Sequence, residues 1–159
     1  MTLNTALPLD TLIPLLDQAK CSMEEMLGLL KEEQEFLIGN QLDQLMSLTQ
    51  KKQSTALEAE QAGLALSHFF AKQGLSPNSD ISAWFSTQLP SALIEWQALI
   101  ETSRQASAFN SSNGKLIETR QHLINAFMQQ LLEASHNSPL YSPDGKLTAL
   151  PQGQRRDTA

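Results

Sequence analysis

Valine is absent from this 159-residue sequence, there is one tyrosine, and aromatic residues make up only 6% of the chain. Strands draw on Val, Ile, Thr and aromatic side chains, so this deficit argues against a sheet. A single cysteine, Cys21, leaves no intrachain disulfide to form and fits a reducing compartment. No apolar run approaches the roughly 20 residues of a membrane span, so direct membrane insertion is not expected. The first basic residue is Lys20, which leaves no positively charged leader start. The expected location is therefore the cytoplasm. Basic residues are also scarce, 11 against 17 acidic ones, and the net charge is −6. Phosphate binding needs a concentrated basic surface, so nucleic acid is not an expected partner.

Catalytic signatures are missing too. There is no His-Glu-x-x-His, no Gly-x-Ser-x-Gly, no P-loop and no Gly-x-Gly-x-x-Gly. Glu133-Ala-Ser-His136 is one Glu-x-x-His. A di-metal bundle needs two such motifs and a Glu from each of two further helices. The single copy reads as a surface pair at a helix end. His68 and His122 have no ligand spacing, and Cys21 reads as a small, partly buried filler. No catalytic residue, metal or cofactor is expected, and the chain is not expected to be an enzyme.

What remains is rich in good helix formers, Leu, Ala, Gln, Glu and Met, and 41% of residues are hydrophobic. From about Leu9 to Ile38 an apolar residue recurs every seven positions, at Leu9, Leu16, Met23, Leu30 and Leu37. Leu12, Ala19 and Met26 supply the second seam position, giving the a/d pattern of a coiled-coil-like helix. Asp10 is placed to cap it, with Pro14 in the first turn, and the acidic group Glu32, Glu33 and Glu35 reads as a solvated face. Gly39-Asn40 is a stop followed by a start. Gly39 is expected in the left-handed position and Asn40 as the next N-cap, which forces an antiparallel hairpin.

The second helix is expected over about Gln41–Gln73, with a seam at Leu42, Leu45, Thr49, Lys52, Ala56, Ala59, Gly63, Leu66 and Phe70. Its small-residue middle permits close approach but contributes little apolar area. Residues 74–79 are a loop, and Asp80 caps a short helix carrying Ile81, Trp84 and Phe85. After Pro90 a third long segment runs from about Ser91 to Ser135, with Asn110-Ser-Ser-Asn113-Gly114 as either a break or a polar layer. The 3.6-residue period resumes in phase beyond it, so continuity is expected. Met23, Met26, Met46 and Met128 lie on helical faces, where they serve either packing or an adaptable binding surface. From Asn137 onward the prolines and glycines forbid a long helix. The fold class is thus all-α: a long antiparallel hairpin plus a third long amphipathic helix, a three-helix bundle over 1–136, with a flexible C-terminal tail over 137–159.

Two stretches carry a family resemblance. One is Met26-Leu-Gly-Leu-Leu-Lys-Glu-Glu-Gln-Glu-Phe-Leu with Leu42-Asp-Gln-Leu and Thr49-Gln-Lys-Lys after it. The other is Asn113-Gly-Lys-Leu-Ile-Glu, followed by Pro139-Leu-Tyr-Ser-Pro-Asp-Gly145. In order and length the chain resembles FlgN-type flagellar type III export chaperones, and only 74–104 matches nothing in the pattern. The resemblance implies a cytoplasmic, non-catalytic chaperone of the hook–filament junction proteins. It also implies that Tyr141 docks on the cytoplasmic domain of the flagellar export-gate protein. The third helix offers Ile117, Leu123, Ile124, Phe127 and Leu131 for client contact, or equally as bundle core. The free protein is able to bury the same residues in a self-dimer. The reading from a different class is a coiled-coil adaptor that holds assemblies together without escorting clients.

Overall fold

The computed structural model describes residues 9–136. Its elements are α1 (Leu9–Ile38), α2 (Leu42–Lys72), α3 (Ile81–Gln88), a 3₁₀ turn (Pro90–Ala92) and α4 (Leu93–His136), with no strand among the described residues. The helical, strand-free fold expected from the composition is the fold observed. By its contacts the chain divides into two units, one ending at Ile117 and the other beginning at Glu118.

Leu9 and Asp10 are both helical, so Asp10 lies inside α1 and is not its cap. A carboxylate there still suits the helix dipole. Pro14 consequently sits at least two residues deeper in the helix than expected and has no N–H to give the Asp10 carbonyl. The hairpin turn also differs in detail. Asn40, not Gly39, takes the left-handed backbone, with φ of 56°. Gln41 N–H donates to the Phe36 carbonyl at 2.9 Å and Asn40 N–H to Leu37 at 3.3 Å, which is a Schellman stop with Asn at the left-handed position. Gln41, without a side-chain cap, then precedes α2. Gly74 closes α2 in the same way, at φ of 79°, with Leu75 N–H on the Phe70 carbonyl. Asp80 caps α3 as expected, its Oδ1 accepting from Ala83 N–H at 3.0 Å.

The α2 seam is rotated from the expected one. Leu48, Thr55, Ala62, Leu66, Phe69 and Phe70 are buried, while Leu42, Ala56 and Gly63 face out. Both settings share the Leu45, Lys52, Ala59, Leu66 line. Phe70 of the expected line is buried as expected, and taking Leu48, Thr55, Ala62 and Phe69 in place of Thr49, Ala56 and Gly63 removes more apolar surface from water.

The core of the first unit joins Leu12, Leu16 and Ala19 of α1 to Ala62, Leu66, Phe69 and Phe70 of α2, Phe85 of α3, Ala92, and Leu99 of α4. Five rings pack within it, largely edge to face: Phe70 meets Phe69, Trp84, Phe85 and Trp96 at centroid distances of 5.6–5.9 Å. Trp96 Nε1–H reaches Ser82 Oγ at 3.2 Å, which satisfies the one polar group of that ring. This is how the short α3 holds the start of α4 against the hairpin.

Candidate partner-binding site

Helix α4 runs parallel to α1, as its cross-contacts show. Lys20 pairs with Glu95, Lys31 lies over the Phe109 ring, Gln34 donates to Ser112 Oγ, and Asn113 reaches Leu30 and Glu33. Asn110–Gly114 is a continuous part of α4, as the in-phase period implied. Asn113 is 1% exposed and donates from Nδ2 to the Leu30 carbonyl at 2.8 Å and to Glu33 Oε2 at 2.9 Å. Lys52 Nζ donates to both Glu33 oxygens, at 3.0 and 2.9 Å. One side chain from each long helix therefore meets in a single buried polar layer. Glu33 was expected on a solvated face. It is buried instead, because Lys52 and Asn113 satisfy its carboxylate, whereas Glu32 and Glu35 are exposed. Cys21, expected to be partly buried, is exposed one position off the seam.

Beyond this layer the character of α4 changes. Residues 118–135 include none that is buried. Leu123, Ile124, Phe127, Met128, Leu131 and Leu132 are each 50–66% exposed. At about 100° per residue these six cover about 180° of the helix circumference, well beyond the ≳ 100° apolar stripe of an ordinary surface helix. Asn125, Gln129, Gln130, His122 and Glu133 occupy the other side. No Asp, Glu, Lys or Arg occurs between Arg120 and Glu133. A contiguous, uncharged apolar surface of this kind marks an interaction site.

The expected contact residues fall on this surface. Leu123, Ile124, Phe127 and Leu131 lie in the second unit, and Ile117, 46% exposed, ends the first. Of the two roles open to them, bundle core is the one they do not fill, since all five are exposed. Met128 and Leu132 belong to the same face and were missing from the expected set. Their signal was legible, since Met128 lies four residues after the expected Ile124 and Leu132 four residues after Met128. Tyr141 lies outside the described residues.

A family model for the FlgN protein matches residues 7–149. The chain belongs to the FlgN protein family. The family is one of flagellar export chaperones, so this FlgN-family chain is a chaperone of flagellum assembly and protein export, with flagellar proteins as partners in the general sense. The family is known for chaperones and not for enzymes. No curated protein and no solved structure matches the chain. Among the described residues no group of three or more His, Cys, Asp or Glu is gathered as a metal site, and no helix is long and apolar enough to cross a membrane.

Proposed function

We propose that this FlgN-family chain holds unassembled hook–filament junction proteins in the cytoplasm and delivers them to the export gate without catalysing a reaction. The observation that carries the reading is the uncharged apolar face of the second half of α4. The client-binding residues are Ile117, Leu123, Ile124, Phe127 and Leu131, with Met128 and Leu132 added. Full burial of a Leu, Ile, Phe or Met side chain contributes roughly 1.5–3 kcal/mol, so covering these seven half-exposed ones supplies a gross gain on the order of 5–10 kcal/mol. That is enough to hold an amphipathic client helix after the entropy of association is subtracted. In the free protein the same face closes on a second copy, and the client displaces it.

Residues 1–136 form the client-holding body in this reading, and 137–159 the delivery tail. Tyr141 brings an aromatic ring and a hydroxyl to the cytoplasmic domain of the export-gate protein. The test is gel filtration of the purified chain mixed with an isolated hook–filament junction protein at micromolar concentration. A stable complex is expected, and Phe127→Asp with Leu131→Asp abolishes it while circular dichroism stays helical. Absence of a complex with the unaltered chain favours the adaptor reading.

A further inference from the structure

A second apolar surface lies in the first unit, away from the polar layer. It is an open groove of ≈ 630 Å³ between α2 and the start of α4. Ala59, Gly63 and Ala71 leave the α2 side low, and Trp96, Leu99 and Ile100 form the α4 side. The rotated α2 seam creates it, because turning Leu48 and Phe69 inward turns the small residues outward. The lining contains no Asp, Glu, Lys or Arg, and Leu64 and Ile100 at its sides are exposed apolar residues.

We propose that residues 1–8 of this chain, Met-Thr-Leu-Asn-Thr-Ala-Leu-Pro, lie along this groove and cover it. Three observations select that occupant. The first is position. One end of the groove is built from Ala71, Leu75, Ser76 and Pro77. Counting outward from the hairpin turn, Leu9 comes level with Ala71, so residues 1–8 join the rest of the chain at that same end. The second is length. The groove follows α2 from Ala59 to Ala71, about 18 Å at 1.5 Å per residue. Eight extended residues reach about 26 Å, which is enough to run its length.

The third is chemistry. Residues 1–8 carry no charged side chain, and Leu3 and Leu7 supply apolar contacts to an uncharged lining. An extended backbone also needs hydrogen-bond partners, which a helix does not. Ser67, His68 and Ser103 place such side chains in the lining. This occupant is independent of the client-binding face on the second half of α4, and it leaves that face free.

The full chain with Cys21→Ser tests it by disulfide trapping. Gly63 has no atom within 4 Å of a built Cβ, so Gly63→Cys is accommodated. Paired with Leu3→Cys, it is compared with Leu3→Cys plus Asp17→Cys. Asp17 is exposed, outside the lining and about equally far from Leu9 along its helix, so an unattached segment would reach it as readily. We expect the 3–63 pair to close within one chain at least about tenfold faster than the 3–17 pair, the gain in effective concentration that docking provides. Equal rates overturn the proposal, as does a 3–63 bond that forms only between chains, which would seat a second copy there. Alkylation of the single Gly63→Cys variant by a bulky maleimide gives a second reading. Removal of residues 1–8 is expected to speed it about fivefold or more by unmasking the groove, and no change overturns the proposal.

Discussion

Asn113, Glu33 and Lys52 are the residues whose individual chemistry matters most to the packing of the long helices. Each belongs to a different one, so their bonds fix how far α4 is slid along the hairpin, as a buried polar residue does in a coiled coil. Removing one member strands the others. Lys52→Met leaves the Glu33 carboxylate with Asn113 alone and is expected to destabilise by about 2–3 kcal/mol, less than a fully buried pair because Lys52 is partly exposed. Urea unfolding measures it. The triple change Glu33→Leu, Lys52→Met, Asn113→Leu is expected to recover most of that loss, since no buried charge remains. Lys20 is a second case. Its hydrogen bond to Glu95 raises its pKa above the ordinary value against partial desolvation, with the charges of Glu95, Glu24 and Asp17 adding. A raised pKa means that the contribution is fully present below the unfolded value, about 10.4, and is lost as pH rises through the folded one. The difference in melting temperature between the unaltered chain and Lys20→Met should therefore be flat from pH 7 to 10 and shrink above that.

At the scale of the element, the turn and the helical glycines give separate expectations. Asn40 holds a positive φ that a side chain without a local hydrogen-bonding group tolerates poorly. Asn40→Ala is expected to lower stability by about 1 kcal/mol in a thermal melt. Gly28 and Gly114 lie inside helices with nothing within 4 Å of a built Cβ. Changing either to Ala is expected to raise stability by about 0.5–1 kcal/mol. The limits of the helices were legible because heptad spacing, Asp80, Pro90 and the Gly74 loop are local signals. The α2 seam was not. Two adjacent heptad lines were compatible with the string, and the choice depended on what α1 and α4 present to them.

For the whole molecule, the distribution of charge governs recognition. The second half of α4 has a run of twelve residues, 121–132, without Asp, Glu, Lys or Arg. Client binding through it should depend little on ionic strength, because there is no charge there to screen. Raising salt from about 0.1 to 0.5 M is expected to change the client Kd less than about threefold by calorimetry, whereas a contact built on ion pairs would weaken steeply. In the proposed division of labour Tyr141→Ala leaves client affinity unchanged and weakens capture by the export-gate domain. Equal loss of both in pull-down assays would refute that division.

The helical, strand-free character of the described residues, the four helices among them and the absence of catalytic motifs followed from the string of residues, because propensity, heptad period and capping act over a few neighbouring positions. Its family was legible for a similar reason, since the Asn113-Gly-Lys-Leu-Ile-Glu segment and its order along the chain are properties of sequence. Tertiary structure decided which side of each helix was spent on the core. Glu33 sits inside although its neighbours Glu32 and Glu35 do not, since only the fold brings Lys52 and Asn113 to it. Ile117, Leu123, Ile124, Phe127 and Leu131 have the same periodicity as core residues. What distinguishes them is that the packed elements bury other residues of α4, Leu99, Ala106 and Asn113, and leave these five in water.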